Sequence, residues 1–145
     1  MERVINKRQT VQNVKERLKW IVKLERMTGL PNRLTVDTSV HKLIISDDNI
    51  AELPERCQQW HESLVIIVND LNRVENPTAR KILIERFYSR SFENRTKIRA
   101  PKIYDRDIIK RWGWSKTKYY NYRLIGMLDF ARNHAGGELL AYDGA

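Results

Sequence analysis

The chain of 145 residues has a single cysteine, Cys57. One cysteine closes no disulfide within the chain and builds no Cys-rich zinc site. A reducing, cytoplasmic setting is expected. The three histidines, His41, His61 and His134, are scattered and show no metal-ligand spacing. There is no Gly-rich phosphate loop and no Gly-x-Ser-x-Gly nucleophile turn. Asp47 and Asp48 read as helix-start acids. His61 beside Glu62 reads as a helix-surface pair, and Cys57 as core. No catalytic residue, metal or cofactor is therefore expected, and the chain does not read as an enzyme. The longest apolar run, residues 64–68, is far too short for a membrane span, and no membrane partner is expected. The opening MERVINKRQT lacks the apolar core of a signal peptide. Glycine and proline are also scarce, at 6 and 4. Each therefore acts as punctuation, not as part of a loop-rich composition.

Positive charge is abundant and uneven. Residues 1–28 hold 8 Lys/Arg against 3 Asp/Glu, residues 29–76 hold 4 against 8, and residues 77–145 hold 15 against 7. Two basic segments flank an acidic one. A basic block laid over a recognisable motif points to DNA more narrowly than uniform basicity does.

The spacing predicts a mostly helical chain. Val11, Val14, Leu18, Ile21 and Leu24 recur at helical spacing over about 6–27, until Gly29 and Pro31 stop the run. Residues 29–46 have no clear period and read as a connector, an extended arm or a short strand. Cys57, Trp60, Leu64, Ile67, Leu71 and Val74 form a heptad seam on a second helix, with Pro54 in or near its first turn. The two seams are short enough to pack on each other, or on the third helix, within one chain, while a homodimer stays open. Asn76 then Pro77 is a helix start, followed by Ala79, Ile82, Leu83 and Phe87 on a helix to about Tyr88. Residues 89–103 read as a basic loop. Asp105 is expected to cap a short helix ending at Trp112. Ser115 is expected to cap a last helix to about His134, closed by Gly136 and Gly137.

The stretch DRDIIKRWGWSKTKYYNYRL, residues 105–124, reads as a helix-turn-helix. Ile108 and Trp112 face the core from the first helix. Gly113 supplies a backbone that tolerates positive φ. Trp114 plugs the space under the turn, and Tyr119 and Tyr122 return the second helix to the core. Ile109 stands where close-crossing helices carry a small residue, which predicts a wider crossing. The outward face carries Lys116, Thr117, Lys118, Tyr120 and Asn121, the candidates for reading base edges: Lys reaches guanine and Asn pairs with adenine. Phosphate contacts are expected from Lys110, Arg111 and Arg123, from the loop residues Arg95, Lys97, Arg99 and Lys102, and from Ser115 at a helix N-terminus.

The segments PTARKILIERFY and DIIKRWGWSKTKYYNYRLIGMLDFA resemble region 4 of bacterial sigma factors, with Gly126, Met127 and Phe130 matching its small-Leu-x-x-apolar run. The chain is similar to ArpU/RinA-like phage transcriptional regulators, through Ser115, Tyr119, Tyr120 and Arg123. That resemblance implies an all-α fold. It divides the chain into a helical N-terminal region over 1–76, a DNA-binding domain over 77–135 and a tail over 136–145. It also implies double-stranded DNA and host RNA polymerase as partners, a bacterial host cell, and control of late phage genes for packaging or lysis. The alternative is a phage DNA-packaging recognition subunit of the small terminase type.

Overall fold

The computed structural model describes residues 3–28, 33–89 and 103–144. The basic loop candidates Arg95, Lys97, Arg99 and Lys102 lie outside the described residues.

Helices dominate. α1 is Lys7–Leu18, with Asn6 as N-cap accepting the Gln9 N–H at 2.9 Å. α2 is Trp20–Met27. The expected continuous helix is thus interrupted at Lys19, and no proline or glycine marks the place. The interruption lets the two halves bury different faces. α1 packs along the last helix, while α2 packs on α3 (Glu55–Asn72). α4 is Pro77–Ile84, running into a π-helical turn, Glu85–Ser89. Its start follows from Asn76, whose side-chain oxygen accepts from both Thr78 and Ala79 N–H at 3.0 Å. Proline at the first position loses no hydrogen bond there. α5 is Asp105–Trp112 and α6 is Lys116–Asn133.

The connector expected over 29–46 contains a β-hairpin. β1, Leu34–Asp37, pairs antiparallel with β2, Lys42–Ile45, placing Leu34 opposite Ile45 and Val36 opposite Leu43. The expected helical class holds in its main part: the fold is mostly helical, with this small two-stranded sheet added to it. Distant side chains hold the hairpin in place. Asn72 at the end of α3 accepts the Leu43 N–H at 2.9 Å and donates to the Leu43 carbonyl at 2.8 Å, as a neighbouring strand would. Buried Arg80 donates to the carbonyls of Val40, His41 and Val74 at 2.6–2.7 Å.

One apolar cluster runs through most of the molecule. It joins Val14, Leu18 and Ile21 to Leu64, Ile67 and Leu71, and these to Leu83, Phe87, Met127 and Phe130. Both heptad seams are absorbed here, apart from half-buried Val11 on α1 and Cys57 and Trp60 at the start of α3. Full burial of one such side chain stabilises by about 1.5–3 kcal/mol. Residues 136–144, expected as a tail, fold back on α1. Asn6 N–H bonds the Ala141 carbonyl at 2.8 Å, Asn13 bonds the Leu139 carbonyl at 3.0 Å, and Ile5 bridges Tyr142.

One histidine expectation is corrected. His61 is no surface pair with Glu62. It is buried, with Nε2 3.0 Å from Asp47 Oδ1, so Asp47 is its partner and not a helix-start acid. His134 is buried as well. Its Nδ1 is 2.8 Å from Asp70 Oδ2, which ties the end of α6 to α3.

Candidate nucleic-acid interface

A second, smaller cluster builds the ground under α5 and α6. Ile82 of α4, Ile108 of α5 and Tyr119 of α6 are buried together, with Ile103, Ile109, Trp112, Trp114 and Tyr122 packed around them. Each aromatic side chain assigned to the core by spacing is here, with Tyr119 buried and the other three half-buried. Ile109, expected to widen the crossing, packs on the edge of this cluster.

The turn between the two helices is fixed by backbone chemistry. Gly113 has φ 66° and ψ 30°, the left-handed region. A Cβ there would meet nothing within 4 Å, so the dihedral and not space demands glycine. The Gly113 N–H bonds the Lys110 carbonyl at 3.3 Å and the Trp114 N–H bonds the Ile109 carbonyl at 3.2 Å. That pair of bonds is the Schellman motif, and the Ile109 and Trp114 side chains both pack against the same apolar cluster. Ser115 then opens α6, its Oγ accepting the Lys118 N–H at 3.1 Å.

Asp105 works differently from expectation. The N-cap of α5 is Tyr104, whose N–H bonds Asp107 Oδ2 at 2.8 Å. This leaves Asp105 free to face inward and accept from α6. Tyr119 Oη donates to its Oδ1 at 2.6 Å and Arg123 to its Oδ2 at 2.7 Å. Arg86, from the turn after α4, approaches Oδ1 at 3.5 Å. Burial, and then the hydrogen bond to Asp105, push the Tyr119 hydroxyl pKa well up, so Tyr119 is a fixed donor. Sequence spacing signals this only faintly: Tyr119 and Arg123 are four apart on one helix face, and an acid stands at the start of the preceding helix.

The surface of this unit is basic and polar. Lys116, Thr117, Lys118, Tyr120 and Asn121, the five base-reading candidates, are all exposed on the first turns of α6. Lys118 Nζ lies 4.1 Å from the Trp114 ring centroid, a cation–π contact that steadies its stem. Lys110, Arg111 and Ser115 are exposed. Arg123 departs from its expected role as a free phosphate contact. Its side chain is only 14% exposed, is paired with Asp105, and lies 4.6 Å from the Tyr120 ring centroid.

No family model, curated protein or solved structure matches the chain. Among the described residues, no group of His, Cys, Asp and Glu could hold a metal ion. No described helix is long and apolar enough to cross a membrane.

Proposed function

We propose that this protein is a sequence-specific double-stranded-DNA-binding regulator of transcription, in which α5, the Gly113 turn and α6 act as a helix-turn-helix. One observation carries the reading. The first turns of α6 present Lys116, Thr117, Lys118, Tyr120 and Asn121 outward, while the aromatic side chains between them turn into the cluster beneath. A helix so mounted projects its N-terminal turns into a major groove, where Lys and Asn have distinct base partners. Lys110 and Arg111 on α5 flank it and meet phosphates, which give affinity and salt dependence without sequence choice.

The resemblance to sigma region 4 and to ArpU/RinA-like regulators supports a role in late phage gene control, with host RNA polymerase as a second partner. Electrophoretic mobility shifts on fragments flanking the gene test the reading. The chain should select one fragment at moderate salt. The Lys116→Ala and Asn121→Ala variants should stay folded and lose about 1–3 kcal/mol of discrimination each. Equal affinity for every fragment in the wild type sinks the proposal.

A further inference from the structure

Past its first turns, α6 is covered along most of its length. From Tyr122 to Ala131, Ile125 is the one exposed residue, 48% accessible. It belongs to neither apolar cluster and packs against neither. A single exposed isoleucine is ordinary on a protein surface. Its place on the helix is not. Lys118, Asn121 and Ile125 stand at i, i+3 and i+7, which is one face of a helix, and all three are exposed. One turn further, Asp129 accepts the Glu75 N–H at 2.8 Å, so the chain meets the helix there and the open stripe ends at Ile125. Tyr122, beside the stripe, leans on Trp114 with ring centroids 5.4 Å apart. The stripe thus runs from an ammonium to a carboxamide to a branched apolar side chain. At ~1.5 Å per residue it covers about 10 Å, or about three base-pair steps of ~3.4 Å.

We infer that Ile125 is a further base-reading residue, and that it packs on the C5 methyl group of a thymine in the major groove. The inference rests on the DNA-binding reading of α6 and deepens it. Lysine and asparagine read hydrogen-bonding edges. The isoleucine side chain has no polar atom, and the apolar group that a base offers in the major groove is the thymine methyl. Contact there takes both groups out of water, which favours thymine over any base without the methyl. Asn121 and Ile125 are four residues apart, about 6 Å along the helix. The thymine therefore lies about two base pairs from the adenine that Asn121 pairs with.

The test uses the whole chain, as wild type and as Ile125→Ala, on the fragment that the wild type selects. Alanine at an exposed helix position keeps the helix, which circular dichroism checks. Each thymine of the protected site is replaced in turn by deoxyuridine, which removes the methyl and leaves base pairing and the O4 acceptor unchanged. At one position the wild type should lose about fourfold in affinity, the worth of one buried methyl-sized group. Ile125→Ala should bind the thymine and deoxyuridine duplexes alike at that position, and keep the wild-type response at every other. The position should lie about two base pairs from an adenine whose replacement matters to the wild type and not to Asn121→Ala. A selected site at which no thymine shows a methyl dependence that Ile125→Ala removes overturns the inference and leaves the DNA-binding reading standing. A change of oligomeric state in Ile125→Ala, by sedimentation, also overturns it, because the side chain then serves a contact between copies. If the wild type selects no fragment at all, the proposed function fails and the inference falls with it.

Discussion

Glu85 illustrates how one residue's environment sets its charge. It sits where α4 passes into the π-helical turn, half-buried, and burial raises its carboxyl pKa while Lys81, Arg111 and a Trp112 hydrogen bond pull the other way. One of its oxygens, Oε2, is buried with no partner among the described residues. Because the folded pKa lies above the unfolded one, the folded chain holds this proton more tightly. The stabilisation is full below the ordinary value of 4.5 and is lost as pH rises through the folded pKa. At neutral pH the ionised group is a net cost. Glu85→Gln, which imitates the protonated form, should therefore stabilise at pH 7 by about 1 kcal/mol, the low end for an unpaired buried acceptor. The gain should shrink towards zero as pH falls below 4.5, where the wild type is protonated too. Thermal unfolding of both chains at pH 7 and pH 4 measures this, and a variant less stable than wild type at pH 7 excludes the account. Comparing the two chains cancels other carboxylates, such as Asp37, whose pKa the Ser39 hydroxyl lowers.

At the scale of elements, α4 and α6 approach each other closely at Gly126. A Cβ there would lie 3.2 Å from Ala79 Cβ, 3.2 Å from Leu83 Cδ1 and 3.3 Å from the Ala79 carbonyl oxygen. Leu83 can turn aside, whereas Ala79 has no rotamer to change. Gly126→Ala gains about 1 kcal/mol of helix propensity, which the tight contact offsets, so its Tm should stay near wild type. Gly126→Val adds bulk without that compensation and should lose about 1–3 kcal/mol by overpacking. A valine variant as stable as the wild type refutes this packing. Elements were legible in the sequence where local chemistry decides them. Asn76 and Pro77 fix the start of α4, Ser115 fixes α6, and Gly113 fixes the turn between α5 and α6. The hairpin was not legible as such, because what holds it comes from Arg80 and Asn72, about 30–40 residues away. The interruption at Lys19 was equally hidden, since it serves two packing partners that no local residue announces. In the candidate site, the exposed face of α6 followed from spacing. The inward turn of Asp105 and Arg123 did not, because a carboxylate at a helix start has two uses and only the fold chooses between them.

For the whole molecule, the sequence suggested a seam near residue 76, and the main cluster crosses it. Val14, Leu18, Leu64 and Leu71 lie on one side and Leu83, Phe87, Met127 and Phe130 on the other. Among the described residues, the cluster beneath α5 and α6 has three fully buried members, Ile82, Ile108 and Tyr119. Four large side chains on the C-terminal side contribute about 6–12 kcal/mol when buried. Losing half of that, about 3–6 kcal/mol, is comparable to the stability of a whole small domain. A fragment of residues 77–145 should therefore show much weaker helical circular dichroism than its share of the intact chain, and no cooperative melting. The intact chain should melt in one transition, coincident by circular dichroism and tryptophan fluorescence, because Trp20 and Trp60 belong to one half and Trp112 and Trp114 to the other. A fragment with full helix content and a sharp melt of its own refutes the shared core.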